Sequence, residues 1–257
     1  MNIQQQFIAF TTILRKEVPR FTRIWVQTLI PPVITMGLYF VIFGHLIGER
    51  IGHMDGFDYM SFVVPGLVMM AVINNSYANV VSSFYSAKFQ RSIEELLVSP
   101  TPSYIILLGY VGGGVLRGLM VGGIVTLMST FFTNFIIEHP WLTVVVILLT
   151  SMLFSVAGLI NAIYANSFDD ISIIPTFILT PLTYFGGVFY SIDMLPEFWQ
   201  GVSQLNPILY MVNAFRYGFL GASDVNVTVA LMGIVVLLVI AYTYAWILLQ
   251  KGKRLRS

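Results

Sequence analysis

Long apolar runs separated by short polar breaks make up most of this chain. A helix needs about 20 mostly apolar residues to cross the hydrocarbon core of a bilayer. Six segments meet that length: Trp25–Ile47, Tyr59–Phe84, Tyr104–Phe132, Trp141–Tyr164, Ile171–Tyr190 and Val227–Leu249. The pattern predicts an all-α integral membrane protein with six transmembrane helices. Ahead of the first run, Ile3, Phe7, Phe10 and Leu14 recur at helical spacing against Gln4, Gln6, Thr11 and Arg15. That face predicts an interfacial helix over residues 1–24, lying along the inner leaflet with its bases near anionic lipid. The alternative is a disordered tail. Residues 25–249 then carry the spans, residues 250–257 form a polar tail, and 1–257 reads as one transmembrane domain.

One break is unlike the others. Between the second and third runs lies SFYSAKFQRSIEELLVSPTPSY, Ser83 to Tyr104. Within it Ile93, Leu96 and Leu97 fall on one helical face, bordered by Arg91, Glu94 and Glu95. Ser99-Pro100 and Pro102 stop the helix, because proline lacks a backbone donor and disfavours helix in the residue before it. A tight turn would connect two spans, so a charged amphipathic helix implies a contact surface facing water.

Composition supports the membrane reading. Of 257 residues, 57% are hydrophobic and 10% charged, with mean hydropathy +0.83, whereas soluble domains run near a quarter charged. Net charge is +1. The bases cluster at Arg15, Lys16, Arg20 and Arg23, at Lys88 and Arg91, and at Lys251, Lys253, Arg254 and Arg256. Only Arg50 and Arg216 fall in the proposed outer loops, and Arg117 falls inside a span. An excess of Lys and Arg marks cytoplasmic loops, which places both termini and the Ser83–Tyr104 loop in the cytoplasm. Such clusters also suit nucleic acid, but here retention of the termini explains them and no nucleic-acid partner is expected. The loop Ala165–Asp170 falls on the same side although it carries Asp169, Asp170 and no base. No cleaved signal peptide is expected, since the N-terminus lacks a short apolar core followed by small residues. Cysteine is absent, and His45, His53 and His139 match no metal-ligand spacing, so no metal site is expected.

Polar residues inside the spans are the candidates for a pathway. Asn74, Asn75 and Asn79 lie in the second run, Asn75 and Asn79 on one face; they serve either as interhelical glue or as pathway-facing groups. Arg117 either lines that pathway or snorkels toward the cytoplasmic side. Around it Gly114, Gly118 and Gly122 repeat at four-residue steps, the spacing that lets helices approach closely, within the subunit or at a dimer seam. Pro31-Pro32, Pro65, Pro175 and Pro181 are expected to kink or break their helices. The segment Ser191–Ser223 is too polar to span and too apolar for a free loop. Its aromatic residues, among them Phe198, Trp199 and Tyr210, predict two short helices dipping into the outer interface, acting as a re-entrant gate or as a static aromatic belt.

No glycine-rich phosphate loop ending in Lys-Ser or Lys-Thr occurs, nor a GxSxG elbow, an HExxH pair or a paired-carboxylate pocket. Asp169 and Asp170 suit helix termini better than catalysis. The chain reads as a non-enzyme.

Three stretches in order resemble the permease subunit of ABC-2 type transporters: FQRSIEELLVSPTP, then PLTYFGGVFYSIDMLPEFWQ at Pro181–Gln200, then LNPILYMVNAFRYGFLG at Leu205–Gly221. The resemblance covers essentially the whole chain. One departure is Ser92-Ile93, where many relatives carry Gly-Thr. The resemblance implies an exporter subunit of the bacterial inner membrane, paired with a second permease copy as a homodimer. Two copies of a separate ATPase subunit would hold ATP and magnesium, this chain binding no cofactor itself. Arg91, Glu94, Glu95, Leu96, Leu97, Ser99 and Pro100 would form the ATPase-coupling segment. Pro181, Gly187, Phe189, Pro196, Asn206, Pro207, Tyr210 and Arg216 would belong to the outer gate. Short outer loops point toward a small amphiphile, drug or lipid as substrate. The competing class, an ATP-independent carrier or channel, would show internal repeats and mid-span carboxylates, and neither is evident.

Overall fold

The computed structural model describes residues 1–54, 56–133 and 137–252. Lys253, Arg254 and Arg256 of the basic tail lie outside the described residues. The chain is mostly helical. It opens with α1 (Ile3–Thr22), capped by Asn2, whose side chain accepts from the first backbone amides while Gln5 reaches back to the cap. A capping box of this kind satisfies two otherwise orphaned donors.

The first long run forms α2 (Trp25–Thr28), α3 (Ile30–Tyr39), a π-helical stretch (Phe40–Ile47) and α4 (Gly48–Ile51). The break at Leu29 follows from Pro31 and Pro32, which occupy the first turn of α3 and leave the carbonyls of Gln27 and Thr28 without helical donors. A two-residue hairpin, β1 (His53–Met54) and β2 (Phe57–Asp58), follows, a small β element absent from the all-α expectation.

Next come α5 (Tyr59–Phe89), α6 (Ser92–Val98), α7 (Ser103–Ser129) and α8 (Pro140–Tyr164). At its start α5 is capped by Asp58, and it runs through Pro65 as one helix, without a break there. It also runs five residues beyond the expected end at Phe84, so the first part of the polar insert is its last turns. Packed on α7 and α8, α5 is buried along nearly its whole length and forms the axis of the bundle.

The fifth expected span is corrected. Residues 171–190 do not form one long helix: α9 (Asp170–Ile174), a π-helical stretch (Pro175–Leu179) and α10 (Thr180–Tyr184) run to Tyr184. At 1.5 Å per residue such a run rises about 22 Å, short of the roughly 30 Å hydrocarbon core. Pro175 and Pro181 stand at the two changes of winding. Among the described residues, five helical stretches are long and apolar enough to cross a membrane: Trp25–Ile51, Tyr59–Phe89, Ser103–Ser129, Pro140–Tyr164 and Val227–Lys251. Between α10 and the last of them, a 3-10 turn (Ile192–Met194), α11 (Glu197–Gln204) and α12 (Pro207–Leu220) supply the expected pair of short helices. Asn206 caps α12 and Gly221, at φ +71°, ends it. The last helix, α13 (Val227–Lys251), packs on α8 and α12 and leaves most of its surface outward.

The glycine ridge of α7 works within the subunit. A Cβ on Gly114 would overlap Ser155 Oγ and stand 2.5 Å from Val80 Cγ2; one on Gly118 would overlap Ser76 Oγ; one on Gly122 would stand 2.7 Å from Val72 Cγ2. The repeat therefore seats α7 between α5 and α8. A second set, Gly109 and Gly113, meets Ile13 and Glu17 of α1, so α7 is notched on two sides.

Candidate coupling surface and polar networks

The α5–α6 corner turns at Arg91, whose φ of 60° is the left-handed conformation that costs an L-residue roughly 1–2 kcal/mol. Glu94 and Glu95 occupy the first turn of α6, where the helix dipole favours acids. Ser99 leaves the helix in extended geometry, its Oγ donating to Leu96 O at 2.7 Å. The amphipathic stripe points inward: Ile93 is 1% exposed, and Leu96 and Leu97 are half-buried against the core. Leu96 and Leu97 thus hold α6 to the bundle. The outward face carries Arg91, Glu95 and Pro100, with Glu94 half-buried. It also carries Phe89 and Val98, 66% and 79% exposed. The sequence reading did not single these two out: helical spacing assigns Val98 to the polar side, and Phe89 ends α5, ahead of the corner at Arg91.

The intramembrane candidates join one network with α1. Arg20 donates to Asn79 through both its backbone and side-chain oxygens, each at 2.8 Å. Glu17 is fully buried, accepts from Ser83 Oγ at 2.5 Å and pairs with Arg20 at 3.4 Å. Burial pushes the Glu17 carboxyl above the ordinary range, and the Arg20 guanidinium opposes that shift. The inner face of α1 packs on α7 and reaches α5 through the Arg20–Asn79 and Glu17–Ser83 hydrogen bonds. Neither Glu17 nor its partner Ser83 was singled out from the sequence. An acid at position 17, three residues before Arg20 on an otherwise basic helix, was the available signal.

Arg117 donates to Asn75 Oδ1 at 3.2 Å and to Thr28 O at 3.4 Å. The second acceptor is the carbonyl that Pro32 cannot bond. The same device recurs at the fifth run, where Asn161 donates to Ile171 O, the carbonyl freed by Pro175, and to Tyr77 OH. Asn75, Asn79 and Arg117 are therefore engaged inside the subunit, while Asn74 is partly exposed.

At the end of α5 remote from α6, Arg216, expected in an outer loop, is buried on α12. It donates to Gly187 O at 2.6 Å, lies 3.8 Å above the Phe62 ring and pairs with Asp224 at 4.0 Å. Asn213 bonds both Arg216 and the Asp224 backbone, and Asp224 accepts from Ile192 N. The knot ties residues 187–192 to α12 and to the approach of α13. Asn213 and Asp224 were missed by sequence reasoning. Asn206 adds a bond to Leu182 O at 2.6 Å, next to Pro181. Phe189 stacks on Phe43 and Tyr184, and the hydroxyls of Tyr39 and Tyr184 meet at 3.0 Å. Tyr210 donates to Gln204 O; Pro196 and Pro207 start α11 and α12. The outer candidates are thus brought together around the end of the broken helix.

Comparison with known proteins agrees with this architecture. Residues 8–220 match the family described as ABC-2 type transporter. The chain is 60% identical, over 98% of both sequences, to a protein of Escherichia coli K12 named inner membrane transport permease YadH. It is also 23% identical to nodulation protein J of Rhizobium leguminosarum bv. viciae over 83% of both chains, and 24% identical to nodulation protein J of Rhizobium meliloti over 74% of this chain and 73% of that one. The chain belongs to the ABC-2 type transporter family and is the membrane permease subunit of an ABC transporter, whose ATPase is a separate partner subunit.

Proposed function

We propose that this chain is the pathway-forming half of an ATP-driven exporter of the bacterial inner membrane. Two copies would form a homodimeric pathway, and two ATPase copies would dock on α6 and supply ATP and magnesium. The observation that carries the reading is α6 itself: a short helix anchored by Ile93, Leu96 and Leu97, with Arg91, Glu95 and Pro100 exposed on its outward side and Glu94 half-buried beside them. Closure of the ATPase pair would push on α6 and bias α5, the axis of the bundle, between inward- and outward-facing states.

The broken helix of residues 170–184, completed by the outer aromatic segment, would serve as the fifth of six crossings, leaving both termini in the cytoplasm. The Arg216 knot, with Gly187, Phe189, Asn206 and Tyr210, would form the outer gate. Asn74 would be the pathway-facing member of its set, with Asn75, Asn79 and Arg117 holding the helices behind it. Short outer loops favour a small amphiphile, drug or lipid as the substrate. The inner-membrane location follows from the name of the Escherichia coli relative.

The test is co-purification with the ATPase subunit, comparing wild type with Arg91→Glu/Glu95→Arg, two exposed positions whose exchange leaves the packed stripe intact. Retention by wild type and loss by the variant is expected. Equal retention would refute α6 as the docking element. ATP-dependent uptake of a fluorescent amphiphile into inside-out vesicles tests direction, and uptake that needs no ATP would refute the exporter reading.

A further inference from the structure

A second cytoplasmic element stands beside α6. The loop Ala165–Asp170 connects α8 to α9, and the fold brings it against the end of α5. Lys88 Nζ donates to Ile163 O and Ala165 O, both at 2.7 Å, which caps the C-terminal end of α8 with a cation. Asp170 closes the loop on itself, accepting from the backbone amides of Asn166 and Ser167 and from Ser167 Oγ. Those donors hold the Asp170 carboxyl below the usual carboxylate range.

The closed loop presents Phe168. Its ring meets Tyr85 edge-on at 4.9 Å and Phe89 at 5.2 Å, yet Phe168 remains 50% exposed and Phe89 66%. Val98 of α6 is 79% exposed. A loop this well fixed loses little entropy on binding, and exposed aromatic anchors inside a polar rim are the usual build of an interaction surface.

We infer that Phe168 and Phe89 form a second docking point for the ATPase subunit, continuous with α6, so that the ATPase grips two cytoplasmic elements. The inference rests on the α6 docking reading above. The charge of the rim selects the occupant. With Lys88 committed to carbonyls and Asp170 to the loop's own donors, Glu94, Glu95 and Asp169 outnumber Arg91; an acidic rim repels an anionic inner leaflet and fits a basic-edged socket on a protein. The consequence is a second line of force. Displacement of the loop passes through Asp170 directly into α9 and the broken helix, while displacement of α6 passes into α5.

The chain has no cysteine, so single-cysteine variants report their surroundings cleanly. Phe168→Cys, Phe89→Cys and Glu95→Cys, each labelled with a benzophenone maleimide, are irradiated in membranes containing the ATPase. Trp141→Cys, on the first turn of α8 at its other end, is the control. Adducts with the ATPase from all three, and none from Trp141→Cys, are expected. An adduct from Glu95→Cys alone, with lipid or nothing captured at positions 168 and 89, overturns this inference and leaves the α6 reading standing. Absence of an adduct from Glu95→Cys as well overturns both. In parallel, Phe168→Ala is expected to weaken ATPase retention roughly tenfold or more, as loss of a buried aromatic anchor does. Monodispersity in detergent should equal that of wild type. Unchanged affinity overturns the inference.

Discussion

Seating of α7 by its glycines makes a quantitative expectation. An alanine at Gly118 places a Cβ that overlaps Ser76 Oγ and lies 3.0 Å from Ser151 Oγ and 3.3 Å from Ser76 Cβ. Ordinary contact needs about 3.4 Å or more, so α5 and α7 must part or Ser76 must turn; overpacking of this kind costs roughly 1–3 kcal/mol. The helix-propensity gain of Gly→Ala does not offset it, because a membrane helix is formed before it packs. Ser76 Oγ is buried and makes no hydrogen bond, so Ser76→Ala by itself should change stability by less than about 1 kcal/mol. The double variant Ser76→Ala/Gly118→Ala removes the overlapping atom and leaves only a rotatable hydroxyl and a 3.3 Å contact. It should recover most of the loss, a coupling of about 1–2 kcal/mol between touching residues. Gly114 is the internal control. There Ser155→Ala cannot rescue Gly114→Ala, since Val80 Cγ2 stays at 2.5 Å and β-branched valine cannot swing aside. The assay is apparent Tm in detergent by fluorescence-detected size exclusion, where each kcal/mol moves the midpoint by roughly 2–4 °C for a chain of this size. Gly118→Ala as stable as wild type, or a double variant showing no recovery, would refute the packing argument.

Two further outcomes follow from the buried charges. Glu17 has its folded pKa raised by burial. Its contribution is therefore fully present below the unfolded value of about 4.5 and is lost as pH rises through the higher folded pKa; Glu17→Gln should flatten the stability profile between those two values, and an unchanged slope there in thermal melts would contradict the assignment. Arg216→Leu leaves Gly187 O without its donor and Asp224 without its cation, so a loss of about 3–5 kcal/mol is expected. Arg216→Leu/Asp224→Leu should lose less than Arg216→Leu alone, measured by the same melts, and an equal loss would show that the ion pair is not what matters.

How much of this was legible beforehand differs from element to element. The second, third, fourth and sixth spans were recovered because a bilayer imposes one demand, a run of about 20 apolar residues, and composition answers it directly. The first span and the short helix Ser92–Val98 were equally plain, since proline and charge punctuate a helix through local backbone chemistry. Residues 171–190 were not: their hydropathy qualifies as a span, but Pro175 and Pro181 change the winding and the helix stops at Tyr184, which averaged apolarity does not register.

The sequence by itself determined membrane residence, the order of the long helices, and the place where a charged helix interrupts them, all of which follow from local composition and periodicity. Tertiary structure alone decided which polar groups meet. Arg20 and Asn79 lie 59 residues apart, Arg117 and Thr28 89 apart, and Lys88 and Ala165 77 apart. Such partners are set by which helices stand side by side and by which carbonyls proline has left unbonded. It also decided that the stripe of α6 faces the bundle, because Ile93, Leu96 and Leu97 bury more apolar surface there than free helix would allow.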